Sequence, residues 1–110
     1  MKENVKIKPL SVNQAWQGRR FKTKAYKNYE EELLWLLPKW LLVPEGRLAV
    51  DIEFGLSNKM NDIDNSLKPF LDILQKKYKF NDNKIYELSI KKTIVKKGDE
   101  FIYFEIKKLI

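Results

Sequence analysis

From Arg47 to Phe54 the chain alternates without a break: Leu48, Val50, Ile52 and Phe54 are apolar, and Arg47, Ala49, Asp51 and Glu53 are charged or small. A repeat of two places all four apolar side chains on one side of a strand and leaves the other side to water. One buried face needs a cover, and the flanking segments supply it with helical periodicity. Thr23 can cap a helix in which Ala25, Tyr29, Leu33, Leu36 or Leu37, and Trp40 recur at helical spacing, with Glu30, Glu31 and Glu32 mostly opposite. Pro38 disfavours helical geometry at Leu37, so the helix should end or kink there before Pro44-Glu45-Gly46 turns the chain. Trp35 and Trp40, next to leucines, read as core or as a subunit contact. After the strand, Ile63, Leu67, Phe70, Leu71, Leu74 and Tyr78 form a second apolar stripe. Pro69 fits this helix if its cap is Asn65 or Ser66, because first-turn N–H groups have no intrahelical partner to lose.

Outside this unit, Val5 to Leu10 alternates as a short strand that Pro9 marks as an edge or an ending. Ser11 to Thr23 lacks periodicity and reads as a loop. Lys84 to Val95 alternates again, Lys96-Lys97-Gly98-Asp99-Glu100 is a turn, and Phe101 to Ile106 returns, so the last two strands read as a hairpin. The order β-α-β-α-β-β, with no repeat or linker, predicts one α+β domain over residues 1–110: a four-stranded mixed sheet with two main helices on one face.

What such a domain can do is bounded by what it lacks. The 110 residues contain no cysteine and no histidine, which excludes disulfides, thiolate sites, Ser-His-Asp triads and histidine acid–base catalysis. Carboxylates, Lys, Tyr or a metal must carry any chemistry. Lys and Arg number 22 against 15 Asp and Glu, a net charge of +7 that points to polyanionic partners. Met1 to Val5 lacks the apolar core of a signal peptide. Leu33 to Val43, broken by Pro38 and Lys39, is too short to span a bilayer, so the expectation is a cytoplasmic protein without membrane association.

Two stretches carry candidate chemistry. Asp62 and Asp64 straddle Ile63, so in an extended or turn conformation both carboxylates point the same way, and adjacent carboxylates repel unless a cation sits between them. Oxygen ligands of this type suit Mg²⁺, which neutralises phosphoryl oxygens and activates water without histidine. Lys68 follows Asp64 by four residues, so on a helix it would stand over the same face. The plainer alternative is a helix cap at Asp64-Asn65, an exposed i,i+4 pair at Lys68, a surface acid at Asp72 and a polar turn at Asn81-Asp82-Asn83. The second stretch places Arg19, Arg20, Lys22, Lys24 and Lys27 around Phe21 and Tyr26 with no acid among them. Such spacing could hold phosphates along a groove while an aromatic stacks on a base, or could be a solvated basic loop beside two core aromatics.

The pattern Asp62-x-Asp64-Asn65-x-x-Lys68-x-x-x-Asp72, followed by Asp82-x-Lys84-Ile85, resembles the RusA family of Holliday-junction resolvases, as does the opening Pro9-Leu10-Ser11-Val12-Asn13 with the basic stretch to Tyr26. The resemblance implies a small homodimeric, Mg²⁺-dependent endonuclease without organic cofactor, acting on four-way DNA junctions in recombination and repair and common in prophages. It also implies that Asp62 and Asp64 are catalytic metal ligands, that Lys68 is an essential lysine, and that Asp82 is the third ligand. The family's double Asp is Asn81-Asp82 here, and Asp82 takes the role because Ile85 then keeps its spacing. Lys84 stands where the family often has Gln. Two other functions compete: a non-catalytic basic nucleic-acid-binding module, and a Mg²⁺ nuclease for other branched DNA.

Overall fold

The computed structural model describes residues 1–17 and 21–110. Strand β1 (Lys2–Val5) is followed by the one-turn helix α1 (Val12–Ala15), the short strands β2 (Trp16–Gln17) and β3 (Phe21–Lys22), and the helix α2 (Lys24–Leu36). Then come β4 (Leu48–Leu56), α3 (Leu67–Tyr78), a 3₁₀ turn (Asp82–Lys84), β5 (Ile85–Ile94) and β6 (Phe101–Lys108). The main sheet has four strands in the order β1-β6-β4-β5, and β2 and β3 form a separate two-stranded ribbon. This is the mixed α+β sheet expected from the sequence.

The alternation in β4 does what its period requires. Leu48, Val50, Ile52 and Phe54 are buried with Ile102, Phe104 and Ile106 of β6. Against them lie Tyr26, Tyr29 and Leu33 of α2 and Phe70, Ile73 and Leu74 of α3, all buried. Phe70 sits edge-on to Phe54 and Phe104, with ring centroids at 6.0 and 5.5 Å. The opposite side of the sheet is polar: Asp51 pairs with Lys107 at 2.9 Å, Lys91 stands 3.9 Å from Glu53, and Thr93 donates a hydrogen bond to Glu53. Asp51 and Glu53 are therefore ordinary solvent-face acids. The Asp51 hydrogen bond and charge hold Lys107 above the usual lysine range.

Helix α2 starts at the Thr23 cap, whose side chain accepts from the Tyr26 N–H, and ends at Leu37 in extended geometry as Pro38 demands. Helix α3 starts late, with Ser66 at its N-cap, so Pro69 falls in the first turn. It stops at Lys79, whose left-handed φ of 57° is one that a non-glycine residue adopts at some cost. The two helices are tied together by Tyr78 Oη donating to the Pro38 carbonyl at 2.8 Å and Lys77 Nζ donating to the Leu34 carbonyl at 3.1 Å.

Four expectations are corrected. The first strand lies at Lys2–Val5, earlier than Val5–Leu10, because Lys2 to Val5 pair with Glu105 to Ile102 while Pro9 lacks a donor for a ladder. The Ser11–Thr23 region holds a helical turn and the paired segments β2 and β3. Strands β5 and β6 do not form a hairpin: β5 runs parallel to β4 along one edge, and β6 antiparallel along the other. Their connection passes over the end of β4, where the Val95 N–H donates to the Leu56 carbonyl at 2.8 Å and the Phe101 ring packs onto Gly55. A Cβ on Gly55 would come within 2.2 Å of that ring, so the crossing needs a glycine there. Trp35 and Trp40 are surface residues, at 86% and 90% exposure, which removes the core reading.

Candidate functional site

The acidic loop follows directly from β4. Strand pairing holds the chain to Leu56, and Ser57 to Ser66 then crosses to the start of α3 in consecutive turns. The Asn65 N–H donates to the Asp62 carbonyl at 3.1 Å and the Leu67 N–H to the Asp64 carbonyl at 3.2 Å. The loop is braced from the N-terminal segment by the Val12 N–H, which donates to the Asn65 carbonyl at 2.7 Å. Asp62, Ile63 and Asp64 are all exposed. Ile63, expected on the apolar stripe, is 46% exposed because the helix has not yet begun there.

Among the described residues, neither the Asp62 nor the Asp64 carboxylate takes an ion pair or a hydrogen bond. Two adjacent exposed carboxylates without a basic partner are a donor set that suits a hard cation keeping several waters. Lys68 is not stacked on Asp64, since Asp64 precedes the helix. It pairs instead with Asp72, one turn on, at 3.6 Å, with the lysine side chain 65% exposed. Lys68 and Asp72 thus lie on the outer ridge of α3.

Asp82 lies beyond the C-terminal end of the same helix. Its backbone N–H donates to Gln75 Oε1 at 2.8 Å, and Gln75 Nε2 donates to the Leu71 carbonyl at 3.1 Å. The Asn81 side chain accepts from the Asn83 N–H at 2.9 Å and caps the turn. Asp82 lines a shallow groove with Leu71, Ile85, Tyr86 and Leu88, and Tyr86 and Leu88 are 62% and 43% exposed. Among the described residues no group of three His, Cys, Asp or Glu side chains is placed to hold a metal. One chain therefore assembles Asp62, Asp64 and Lys68 at one end of α3 and leaves Asp82 apart from them.

Of the basic residues, Arg19 and Arg20 lie outside the described residues. Lys22 does not stand free: its ammonium is 3.6 Å from Glu30 Oε2 and 4.7 Å from the centroid of the Tyr26 ring. Folding α2 thus supplies an acid that the linear spacing did not show. Glu30 also takes Lys76 at 2.9 Å, which joins α2 to α3 beside Asp72. Tyr26 is pushed up to about 12 by burial, with the charges of Glu30 and Asp72 adding to it, so its hydroxyl stays protonated at neutral pH. Burial drives Tyr29 upward as well. Lys24 and Lys27 are exposed on α2 and available to an anion.

Sequence reasoning passed over Gln75, Lys92 and Glu100. Lys92 of β5 and Glu100, just ahead of β6, hold the acidic loop through Lys59, Asn61 and Ser57, and Gln75 holds the Asp82 turn. Only Lys92 left a trace in the sequence, as a charge on the otherwise apolar register of Tyr86, Leu88 and Ile90.

The family model described as Endodeoxyribonuclease RusA matches residues 6–106 of the 110-residue chain. No curated protein matches the chain.

Proposed function

Because the chain belongs to the RusA endodeoxyribonuclease family, we propose that it resolves four-way DNA junctions by paired symmetric nicks, using Mg²⁺ held at Asp62 and Asp64. The observation that carries this reading is the exposed pair of carboxylates ahead of Lys68, unpartnered among the described residues, in a chain that the family model matches almost end to end. When bound there, the ion neutralises phosphoryl oxygens and lowers the pKa of a coordinated water. The protein's own part is to present the two carboxylates on one short loop, with the exposed Lys68 ammonium in the first turn of α3 that follows it. Lys68 can leave its exposed pairing with Asp72 for a phosphate at little cost, since pairs of this kind contribute only about 0.3–0.5 kcal/mol. Arg19, Arg20, Lys24 and Lys27 hold the DNA backbone in this reading, and Lys22 does so only on leaving Glu30.

Asp82 enters through a second copy. A junction needs two equivalent sites related by two-fold symmetry, and a homodimer presents them. Since Asp82 lies apart from Asp62 and Asp64 within one chain, it completes a metal site only if the partner contributes it. The exposed Tyr86 and Leu88 beside it, and the exposed Trp35 and Trp40, are surfaces such a dimer can cover. Among the described residues no helix is long and apolar enough to cross a membrane. Action on DNA in the cytoplasm, in recombination and repair or in a prophage, completes the reading.

The test sets a four-way junction, a flap and linear duplex side by side, each with Mg²⁺ and with EDTA. Symmetric nicking of the junction that requires Mg²⁺ supports the proposal. Preferential cutting of the flap points to another branched substrate, and binding without cleavage under any metal points to a non-catalytic module.

A further inference from the structure

The loop that carries Asp62 has little regular structure, and side chains from distant strands hold it. Lys92, near the end of β5, donates from Nζ to the Lys59 carbonyl at 3.2 Å and the Asn61 carbonyl at 2.7 Å. The second of these belongs to the peptide linking Asn61 to Asp62. Lys92 is partly buried, opposite Phe54 in the sheet register. Among the described residues it takes no carboxylate partner. Its ammonium is thus held by two neutral backbone carbonyls, each through a charge-assisted hydrogen bond that fixes the carbonyl it takes. Glu100, 9% exposed just ahead of β6, grips the loop's other end by accepting from Ser57 Oγ and the Gly98 N–H, both at 2.8 Å. Within the loop, the Met60 N–H donates to Asn58 Oδ1 at 2.9 Å and the Asn61 N–H to the Asn58 carbonyl at 3.3 Å. The polar cleft between this loop and the Lys8–Gln14 segment has a volume of about 210 Å³ and Glu100 in its wall.

We infer that Lys92 is a positioning residue for the metal site, acting through the Asn61 carbonyl to set the direction in which Asp62 leaves the loop, with Glu100 as the anchor at Ser57. Two carbonyls captured by one ammonium restrict the backbone between residues 59 and 61, and the first metal-ligating side chain is the next along the chain. Supporting groups of this kind typically contribute tenfold or more to metal affinity. The inference rests on the reading of Asp62 as a metal ligand.

The test is Lys92→Met in the full chain, which keeps the stem and removes the donors, beside Lys92→Arg, which restores donors to the carbonyls. Three quantities are measured: the Mg²⁺ concentration giving half-maximal single-turnover junction cleavage, junction affinity in EDTA, and amide hydrogen exchange of residues 60–64 against that of β4. For Lys92→Met we expect the Mg²⁺ midpoint to rise by about tenfold, affinity in EDTA to stay at the wild-type value, and exchange to quicken in the loop while β4 stays protected. Lys92→Arg should recover most of the midpoint. An unchanged midpoint overturns the inference, as does loop exchange that quickens only in step with β4. Asp62→Asn, run alongside, separates the two ideas: wild-type cleavage in that variant refutes the metal reading, and the exchange data still decide whether Lys92 holds residue 62.

Discussion

Phe70→Ala tests the packing that ties the site-bearing helix to the sheet. Phe70 is fully buried on α3, two residues after Lys68, and its ring lies edge-on to Phe54 of β4 and Phe104 of β6 at 6.0 and 5.5 Å. Truncation to alanine leaves a cavity walled by two strands whose hydrogen-bonded ladders cannot move inward to fill it. Such changes cost about 3–5 kcal/mol, the aromatic pair terms included. A domain of this size is stable by roughly 5–15 kcal/mol, so the variant should remain folded but lose a large part of its margin. At about 4–8 °C per kcal/mol, Tm should fall by at least about 12 °C. Phe70→Leu keeps an apolar group in place and should cost less than Phe70→Ala. Urea titration followed by tryptophan fluorescence and circular dichroism measures both, and an unchanged m-value shows that the same surface is exposed on unfolding. A loss for Phe70→Ala below about 1.5 kcal/mol at unchanged m would refute the claim that this ring joins α3 to the sheet.

Lys68→Ala should lose single-turnover cleavage while stability changes by no more than about 0.5 kcal/mol, because its pair with Asp72 is exposed; a parallel fall in Tm and rate would make the residue structural. Asp82→Asn should keep junction binding and lose Mg²⁺-dependent cleavage, and Asn83→Ala should be close to neutral, whereas the reverse outcome would assign the third position to residue 83. The double variant Arg19→Ala, Arg20→Ala should flatten the salt dependence of log affinity by about 0.9 per lost phosphate contact; an identical slope would exclude those two residues from the DNA contact. Hydrogen bonds from its own backbone N–H, Ser57 and Gly98 hold the Glu100 carboxyl below its ordinary value of 4.5, so its contribution to stability is present above that value and is lost as pH falls through the lowered one. The stability difference between wild type and Glu100→Leu should therefore narrow in urea titrations carried below pH 4.5, and a difference constant from neutrality down to pH 2 would contradict the assignment.

Local periodicity alone determined several parts of this molecule. The buried face of β4, the apolar stripe of α3 from Leu67 onward, the break at Pro38 and the late start forced by Pro69 all follow from spacings of a few residues, and the structure reproduces them. The absence of histidine and cysteine likewise narrowed the chemistry before any fold was known, and the Asp62, Asp64 and Lys68 spacing marked where to look. Tertiary structure decided the rest, because it depends on partners far apart in the chain. Strand alternation shows which face is buried but not which strand lies alongside, so β5 and β6 read as a hairpin until β4 proved to lie between them. Lys22 looked free of acids until the turns of α2 brought Glu30 to it. Asp82 follows Asp64 by only 18 residues, yet an intervening helix of 12 residues, about 18 Å long, keeps the two apart. The grip of Lys92 on Asn61 spans 31 positions and joins a side chain to a backbone carbonyl. Every residue carries such a carbonyl, so the sequence could mark Lys92 as a charge in an apolar register but not which carbonyl it would take.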